Sequence, residues 1–248
     1  MYTNNSTLVR HYAETGKAEL AVNGLEGKML NRRFVISVIL LSALAAVFCL
    51  WIDFHTYRSG SKTIPCEEKG IIFSMTTFGG DSESKPFVKC LGHTWLSLDN
   101  QTGHSIYIKD QEIKDNEMLT FSVWAVSDLP GLLFNMEADY ISLYGRYAGR
   151  KSLCVNIEES QLETIEQYID QKNRWTLLEN CSYWAIQLWN EVVDDAFELK
   201  TQTLVYTPER LERSLCEFDC VEADMDFSRA GHSFFLRDGV RTELRLCS

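Results

Sequence analysis

One uncharged apolar segment constrains this chain more than any other feature. Residues 34–52, FVISVILLSALAAVFCLWI, contain no charged side chain over 19 positions. As a helix rising about 1.5 Å per residue, the segment is ~28 Å long, close to the ~30 Å hydrocarbon core of a bilayer. Trp51 lies near its far end, where an indole N–H stays in contact with water. The segment therefore predicts a single transmembrane helix.

Two alternatives remain for this segment, a cleaved signal peptide and a buried soluble helix. A signal peptide has a short basic start and an apolar stretch of about 7–15 residues, whereas 33 residues precede this longer stretch. The run SALAA at 42–46 keeps cleavage open. Basic residues flank the start of the span more densely than its end, which favours a cytoplasmic N-terminus. We therefore expect a cytoplasmic tail (1–33), a stalk (53–68) and an extracytoplasmic domain (69–248).

The part of the chain beyond the apolar span is strongly acidic. It carries 19 basic and 32 acidic residues, a net charge of −13, against −11 for the whole chain. Such a field repels the phosphates of nucleic acids and the headgroups of anionic lipid surfaces. Nucleic acid is therefore excluded as a partner, and the membrane contact is expected through residues 34–52 alone.

Cysteine usage agrees with an exported domain, because disulfides persist in oxidising compartments. Cys49 lies in the apolar span, which leaves seven cysteines beyond it. An odd number leaves at least one thiol free. A free Cys181 with three disulfides among the other six is one arrangement. The sequence CEFDC at 216–220 favours a short-loop disulfide or two plain thiols over half of a metal site.

Strand and helix patterns mix along the domain without regular alternation. GIIFSM (70–75) and SLCVNI (152–157) have strand character. SQLETIEQYIDQKN (160–173) predicts a helix capped by Ser160, and TPERLERSL (207–215) begins with a threonine cap and a first-turn proline. This order favours an α+β fold over a doubly wound parallel sheet.

A hairpin is expected around the first histidine of the domain. HTWLSLD and HSIYIKD flank NQTG (100–103), a turn composition that ends in glycine. With those four residues as the loop, the register places His93 opposite Asp110, with Cβ atoms about 5 Å apart. A slip by one residue would send Asp110 to the other face of the hairpin.

A cysteine begins the tryptophan-rich segment ENCSYWAIQLWN (179–190). Asn180 is a favoured N-cap residue, which puts Cys181 in the first turn of a helix. Unpaired N–H groups and the positive helix end stabilise a thiolate there, and the thiolate is the nucleophilic form. The alternative is that Cys181 is a small apolar residue of the core.

The order of these two segments resembles the circularly permuted papain-like cysteine enzymes. A GH dipeptide at a strand start (Gly92, His93), a turn, a second strand and then NC opening an apolar helix follow one another over residues 70–220. This superfamily includes bacterial cell-wall peptidases and amidases and the lecithin:retinol acyltransferase group. The resemblance implies an antiparallel sheet packed on helices, with Cys181 as nucleophile and His93 as its base.

The resemblance also implies a third polar residue on the strand after the histidine. By position Asp110 is the best match, and His104 and Glu112 are its rivals. No cofactor or metal is expected, since a zinc site built from His93, His104 and a cysteine lacks a closely spaced ligand pair.

The expected function is that of a membrane-anchored extracytoplasmic cysteine hydrolase. It would cleave an amide bond in a peptidoglycan stem peptide or another amide-containing envelope substrate, through nucleophilic catalysis by a Cys–His pair. An acyltransferase of the same superfamily is an alternative. A non-catalytic binding or interaction module on the same fold is another, because fold alone does not fix function.

Overall fold

The structure is a computed structural model in which residues 34–45, 62–80, 92–125, 129, 131–199, 206–244 and 246 are described. The chain divides into two compact units, Met1–Thr56 and Tyr57–Ser248. In the first unit, residues 34–45 are helical (α1) and exposed. The expected tail, residues 46–52 of the expected span and most of the expected stalk lie outside the described residues. Over the described ranges, the structure contains no helix with the length and apolar character needed to cross a bilayer.

The second unit contains strands and helices that interleave along the chain. Its strands are β1 (Gly70–Phe78), β2 (His93–Gln101), β3 (Ile106–Ile108), β4 (Gln111–Ile113), β5 (Met118–Val123), β6 (Leu132–Phe134), β7 (Lys151–Ile157), β8 (Glu222–Ala223), β9 (Phe234–Arg237) and β10 (Val240–Glu243). Its α-helices are α2 (Met136–Tyr144), α3 (Glu159–Gln171), α4 (Cys181–Val192) and α5 (Pro208–Leu215), with a 3₁₀ turn at Asp195–Phe197.

Eight of these strands form one antiparallel sheet, in the order β10-β9-β6-β5-β2-β1-β7-β8. β2 lies at its centre, paired with β1 on one side and β5 on the other. The main core packs between the sheet and α3, α4 and α5. Phe73 of β1 stacks on Trp189 of α4, with ring centroids 5.4 Å apart. The expectation of an α+β fold with an antiparallel sheet packed on helices is confirmed at this level.

Alternation along β5 places α2 and α4 on different faces of the sheet, because successive strand residues point to opposite sides. Phe121 packs edge-on against Trp184 of α4, with centroids 6.1 Å apart. The preceding residue, Thr120, donates its hydroxyl to Glu137 of α2 at 2.9 Å. One face of the central strands therefore carries the cysteine helix, and the other face carries α2.

Most of the elements expected from local patterns are present. β1, β7, α3, α4 and α5 lie where the sequence predicted them, and Thr207 caps α5 by accepting a hydrogen bond from the Arg210 N–H at 3.3 Å. The cap of α3 was assigned to the wrong residue. Glu158, not Ser160, is the N-cap, because it forms a reciprocal capping box with Gln161.

The expected hairpin that joins β2 to the next strand is wrong. His93 lies opposite Phe78 of β1. Asn100 turns the chain out of the sheet, because its side-chain amide donates to two backbone carbonyls of the following segment at 2.7 and 2.8 Å. β3 and β4 form a separate hairpin. Its turn residues Lys109 and Asp110 have φ of 50° and 60°, the geometry of a two-residue type I′ turn.

The last residues of the expected stalk pack against the domain. The Lys62 N–H donates to the carbonyl of Glu217 at 3.2 Å, and the Asp219 N–H donates back to the Lys62 carbonyl at 3.0 Å. Ile64 is buried in the main core. The domain therefore includes residues 62–68, earlier than the boundary at residue 69 that composition suggested.

Candidate active site

Cys181 is the first residue of α4, as its sequence context predicted. The side chain of Asn180 accepts hydrogen bonds from the N–H groups of Ser182 and Tyr183, both at 3.1 Å. The Asn180 carbonyl accepts from the Trp184 N–H at 2.9 Å. The Asn180 side chain thus satisfies two of the N–H groups that a helix start leaves without partners, and the N–H of Cys181 is the first-turn donor that the cap does not use.

His93 is the first residue of β2 and is buried, with 7% of its surface exposed. The preceding residue must be glycine, because neighbouring atoms approach the backbone of Gly92 too closely to leave room for a side chain. A Cβ at this position would lie 2.4 Å from the Phe78 carbonyl oxygen, 2.8 Å from Pro208 Cβ and 3.0 Å from the Gly79 carbonyl carbon. The GH dipeptide therefore reflects packing at the point where β1, β2 and α5 meet.

The structure brings His93 and Cys181 together across 88 positions of sequence. Each side chain shifts the pKa of the other through its charge and a side-chain hydrogen bond, and both side chains are buried. The Nε2 atom of His93 lies 2.9 Å from Oε1 of Glu137. This contact leaves the other ring nitrogen, Nδ1, for the sulfur. The imidazole therefore lies between a thiol and a carboxylate.

Glu137 is the group on the far side of the imidazole, and the sequence analysis missed it. Its side chain is fully buried. Oε1 also accepts a hydrogen bond from the indole N–H of Trp124 at 2.9 Å, and Oε2 accepts from the Thr120 hydroxyl at 2.9 Å. Burying a carboxylate is costly unless hydrogen bonds and a nearby cation compensate. Here two neutral donors and the imidazole supply that compensation.

Asn135 fixes the start of the helix that carries Glu137. It adopts the left-handed conformation with φ 55°, a region that asparagine tolerates better than most residues. Its N–H donates to the Thr120 carbonyl at 2.8 Å, and its side-chain oxygen accepts from the Thr120 N–H at 2.9 Å. Both bonds tie the helix start to β5. They deliver Glu137 to the first turn of α2, where the positive helix end favours a carboxylate.

Electrostatics favour an imidazolium–thiolate pair. Burial by itself lowers the pKa of His93, but the charge and hydrogen bond of Cys181 and those of Glu137 outweigh it and raise the pKa to about 9. Burial raises the pKa of the Cys181 thiol, but the charge and hydrogen bond of His93 and the N–H groups of Thr94 and Ser182 lower it below its ordinary value. Near neutral pH the imidazole therefore holds its proton, and the lowered pKa of the thiol favours the thiolate beside it.

A chain of hydroxyl groups connects the strand of the histidine to the helix of the cysteine. The Thr94 and Ser182 hydroxyls lie 2.9 Å apart, and the Thr94 and Thr77 hydroxyls lie 3.1 Å apart. Thr77 donates onward to the carbonyl of Pro208 in α5 at 3.1 Å. Because these groups are buried, the network fixes the registration of α4 on β2.

Trp124 touches both the imidazole and a neighbouring cleft. Its ring centroid is 4.3 Å from that of His93 and 5.6 Å from that of Tyr140, on which it stacks. The same tryptophan lines a cleft of about 890 Å³, together with apolar side chains that include Phe134 and Trp175. His93 and Cys181 are not among the residues that line this cleft, and Trp124 contacts both the imidazole and the cleft.

The third residue expected from position is not at this site. Asp110 is exposed in the turn between β3 and β4, so its expected placement opposite His93 is wrong. Its rivals lie elsewhere as well. His104 pairs with Glu159 at 2.7 Å on the surface, and Glu112 accepts a hydrogen bond from Ser105 at 2.7 Å.

The cysteines of the described residues are all free thiols, namely Cys66, Cys154, Cys181, Cys216 and Cys220. Within CEFDC, Cys216 and Cys220 are therefore two free thiols and not a disulfide. The other three cysteines lie outside the described residues. In the part of the chain that is described, His, Cys, Asp and Glu side chains form no group of three or more arranged to hold a metal ion.

Comparison of the chain with protein-family models, curated proteins and solved structures gives no match. The interpretation of the site therefore depends on its geometry.

Proposed function

We propose that this protein is a membrane-anchored extracytoplasmic cysteine hydrolase that cleaves an amide bond. Cys181 is the nucleophile, His93 is the general base and acid, and Glu137 orients the imidazole. The observation that supports this proposal is the hydrogen-bonded series Cys181–His93–Glu137, with its sulfur at a helix N-terminus. Nucleophile, base and orienting group in mutual contact are the arrangement that nucleophilic catalysis requires.

In the first step the Cys181 thiolate attacks the amide carbonyl. A C–S bond forms, and the carbonyl π electrons move onto oxygen. The resulting oxyanion needs donors that are already in position. We assign the N–H of Cys181 as such a donor, because it lies in the first turn of α4 and is not used by the Asn180 cap.

In the second step the tetrahedral intermediate collapses. The C–N bond breaks as His93 gives its Nδ1 proton to the departing amine, and a thioester to Cys181 remains. Neutral His93 then accepts a proton from water, which attacks the thioester and restores the thiolate and the imidazolium. Glu137 remains ionised throughout and stabilises the imidazolium through Nε2.

The arrangement supports the papain-like class proposed from the sequence. A helix that begins with the cysteine packs on an antiparallel sheet whose central strand begins with the histidine. The histidine strand precedes the cysteine helix in the chain, as in the permuted enzymes. The orienting group departs from the expected pattern, since Glu137 comes from a helix instead of the next strand.

The location and substrate are part of the same proposal. The uncharged segment 34–52 supports an anchor that holds the domain outside the cytoplasm. An envelope peptide, with a peptidoglycan stem peptide as the leading candidate, is the amide that such a location offers. The cleft beside Trp124 is lined by apolar side chains such as Phe134 and by charged ones such as Asp170 and Arg174, which supports a substrate with both apolar and charged groups near the scissile bond.

Trapping of the acyl-enzyme tests the reaction type. The full chain in detergent is mixed with p-nitrophenyl esters and p-nitroanilides of short acyl-peptides, and intact mass is measured after rapid acid quench. We expect a burst of about one equivalent of leaving group and an acyl adduct on Cys181. Cys181→Ser abolishes both signals, and Glu112→Gln, which changes an exposed carboxylate outside both the site and the cleft beside Trp124, leaves them intact.

Two other outcomes would contradict the proposal. Absence of any acyl adduct, while iodoacetamide still alkylates Cys181, would indicate a reactive thiol in a non-catalytic module. An adduct that persists in water and is released only by an added amine or alcohol would indicate an acyltransferase.

A further inference from the structure

Three cysteines that the proposed mechanism does not use line one pocket. Cys66, Cys154 and Cys220 surround a volume of about 460 Å³. They come from the segment before β1, from β7 and from the turn after α5, so only the folded domain brings them together. Their thiols are free in this structure.

Hydrogen bonds hold the backbone on both sides of Cys66. On one side, the Ile64 N–H donates to the sulfur of Cys220 at 3.4 Å. On the other side, the Glu67 N–H donates to the side-chain oxygen of Asn156 at 2.5 Å, and the Asn156 amide donates to the carbonyl of Lys69 at 2.8 Å. This segment is therefore fixed at the edge of the domain.

Asn156 also sets which part of the sheet Cys66 meets. Asn156 and Cys154 are two residues apart on β7, and residues at this spacing project from the same face of a strand. The contacts of Asn156 therefore bring the Cys66 segment over the face from which Cys154 projects. The thiols of Cys66 and Cys154 are hydrogen-bonded to each other.

The two thiols differ in character. Cys66 is exposed, and the hydrogen bond from Cys154 lowers its pKa. Cys154 is half-buried, and its hydrogen bond to Cys66, followed by burial, raises its pKa. The exposed thiol of Cys66 is the one that an oxidant in solution reaches first, and the half-buried thiol of Cys154 beside it can resolve the product.

We propose that Cys66 and Cys154 are a reversible disulfide pair that clamps the segment entering the domain onto β7. The oxidant is a small-molecule disulfide. The Cys66 thiolate attacks one of its sulfurs, so that the S–S bond of the oxidant breaks and one thiolate leaves. Cys154 loses its proton and attacks the Cys66 sulfur of the mixed disulfide, which releases the second thiol. Two cysteine thiols are oxidised, and one disulfide is reduced to two thiols.

The pairing is tested by mapping disulfides in the full chain. The detergent-solubilised protein is equilibrated in glutathione buffers of increasing oxidised fraction, quenched in acid, alkylated with N-ethylmaleimide and digested without reduction. We expect one linked peptide pair containing Cys66 and Cys154, about 2 Da lighter than the sum of its reduced parts. Cys220 is expected to be alkylated at the same time.

Single substitutions sharpen the result. In Cys154→Ser the linked pair disappears, and Cys66 is recovered as its mixed disulfide with glutathione. Cys216→Ser, a change at a neighbouring exposed thiol, leaves the link intact. Cys181→Ser also leaves it intact, so the disulfide and the hydrolase proposal stand or fall separately.

Two results would overturn the pairing, and both are read on the wild-type chain. One is recovery of Cys66 and Cys154 as alkylated thiols even in fully oxidised glutathione. The other is a link from either of them to Cys220 or Cys216.

Discussion

Removal of the His93 imidazole should slow alkylation of Cys181 at neutral pH. In the native pair the imidazole has a pKa of about 9 and holds its proton at pH 7, and its charge and hydrogen bond lower the pKa of the Cys181 thiol. His93→Ala removes both of these influences, and burial, which raises the pKa of the thiol, is the largest one that remains. A thiol at its ordinary pKa of 9.0 is about 1% ionised at pH 7.

The expected size of the effect follows from two opposing factors. A return of the thiol to its ordinary pKa reduces the thiolate population at pH 7 by up to about 100-fold. A thiolate of higher pKa is intrinsically more nucleophilic, with a Brønsted slope of about 0.4–0.5, which restores about threefold for each unit by which the pKa rises. The rate constant for alkylation should therefore fall several-fold. Removal of the ring also opens space beside the sulfur, which by itself should speed alkylation. A slower rate in His93→Ala is therefore the more informative result, because it appears despite this opposing effect.

The assay measures alkylation by iodoacetamide at pH 7 under pseudo-first-order conditions. After quench and digestion, mass spectrometry compares the Cys181 peptide with that of Cys216, an exposed thiol that serves as an internal reference. His104→Ala is the matched control, because His104 also pairs with a glutamate but lies on the surface. Thermal unfolding verifies that each variant is folded, and His93→Asn retains more of the side-chain volume if the alanine variant is unstable. Rate constants for His93→Ala and the wild type within about twofold of each other, with the fold intact, would refute the ion-pair reasoning.

The remaining predictions concern the orienting group, the close approach beside it and the pH profile. Glu137→Gln removes a charge that raises the pKa of His93, so turnover should fall at least about tenfold and its alkaline limit should move to lower pH, whereas Glu112→Gln should match the wild type in the same pH–rate series. Gly92→Ala forces a Cβ into backbone and should cost about 1–3 kcal/mol in urea unfolding, whereas Gly231→Ala, whose nearest contact would be 3.6 Å, should cost under about 1 kcal/mol. Wild-type turnover should be bell-shaped, rising as the thiol ionises below its ordinary pKa and falling above pH ~9 as the imidazolium of His93 loses its proton; a rate that keeps rising beyond pH 10 would contradict this assignment.

The placement of Cys181 at a helix start and of His93 at a strand start was predictable because the signals are local. An asparagine cap before a cysteine specifies a helix start within three residues, and Asn180 makes the hydrogen bonds expected of it. His93 was recognisable from the glycine before it and the alternating strand after it. A helix cap and a strand start depend on few neighbouring residues, so the local sequence pattern was sufficient to identify both elements.

The orienting group was not predictable in the same way. Glu137 lies 44 positions from His93, in a segment without a recognisable motif. Its helix begins from a left-handed asparagine that is tied to β5, a tertiary contact without local signature. The expected substitute, Asp110, came from a register based on the turn-like NQTG, whereas the stronger turn lies at Lys109–Asp110 itself. The available signal was a glutamate in the first turn of a helix with buried neighbours, and it gains meaning only when the histidine is known to be near.

His93 is the first residue of β2, and this position explains why the site combines residues from three separate elements. α4 and α2 lie on opposite faces of the sheet, so an interior strand residue projects towards one helix or the other. At the strand end the histidine reaches both, with one ring nitrogen for the Cys181 sulfur and the other for Glu137. Each anion lies in the first turn of its helix, where the helix dipole favours negative charge. The imidazolium is thus the shared cation of two anions, so loss of either one lowers the pKa of His93 and weakens its hold on the proton needed by the other. Cys181 and Glu137 are therefore coupled through His93.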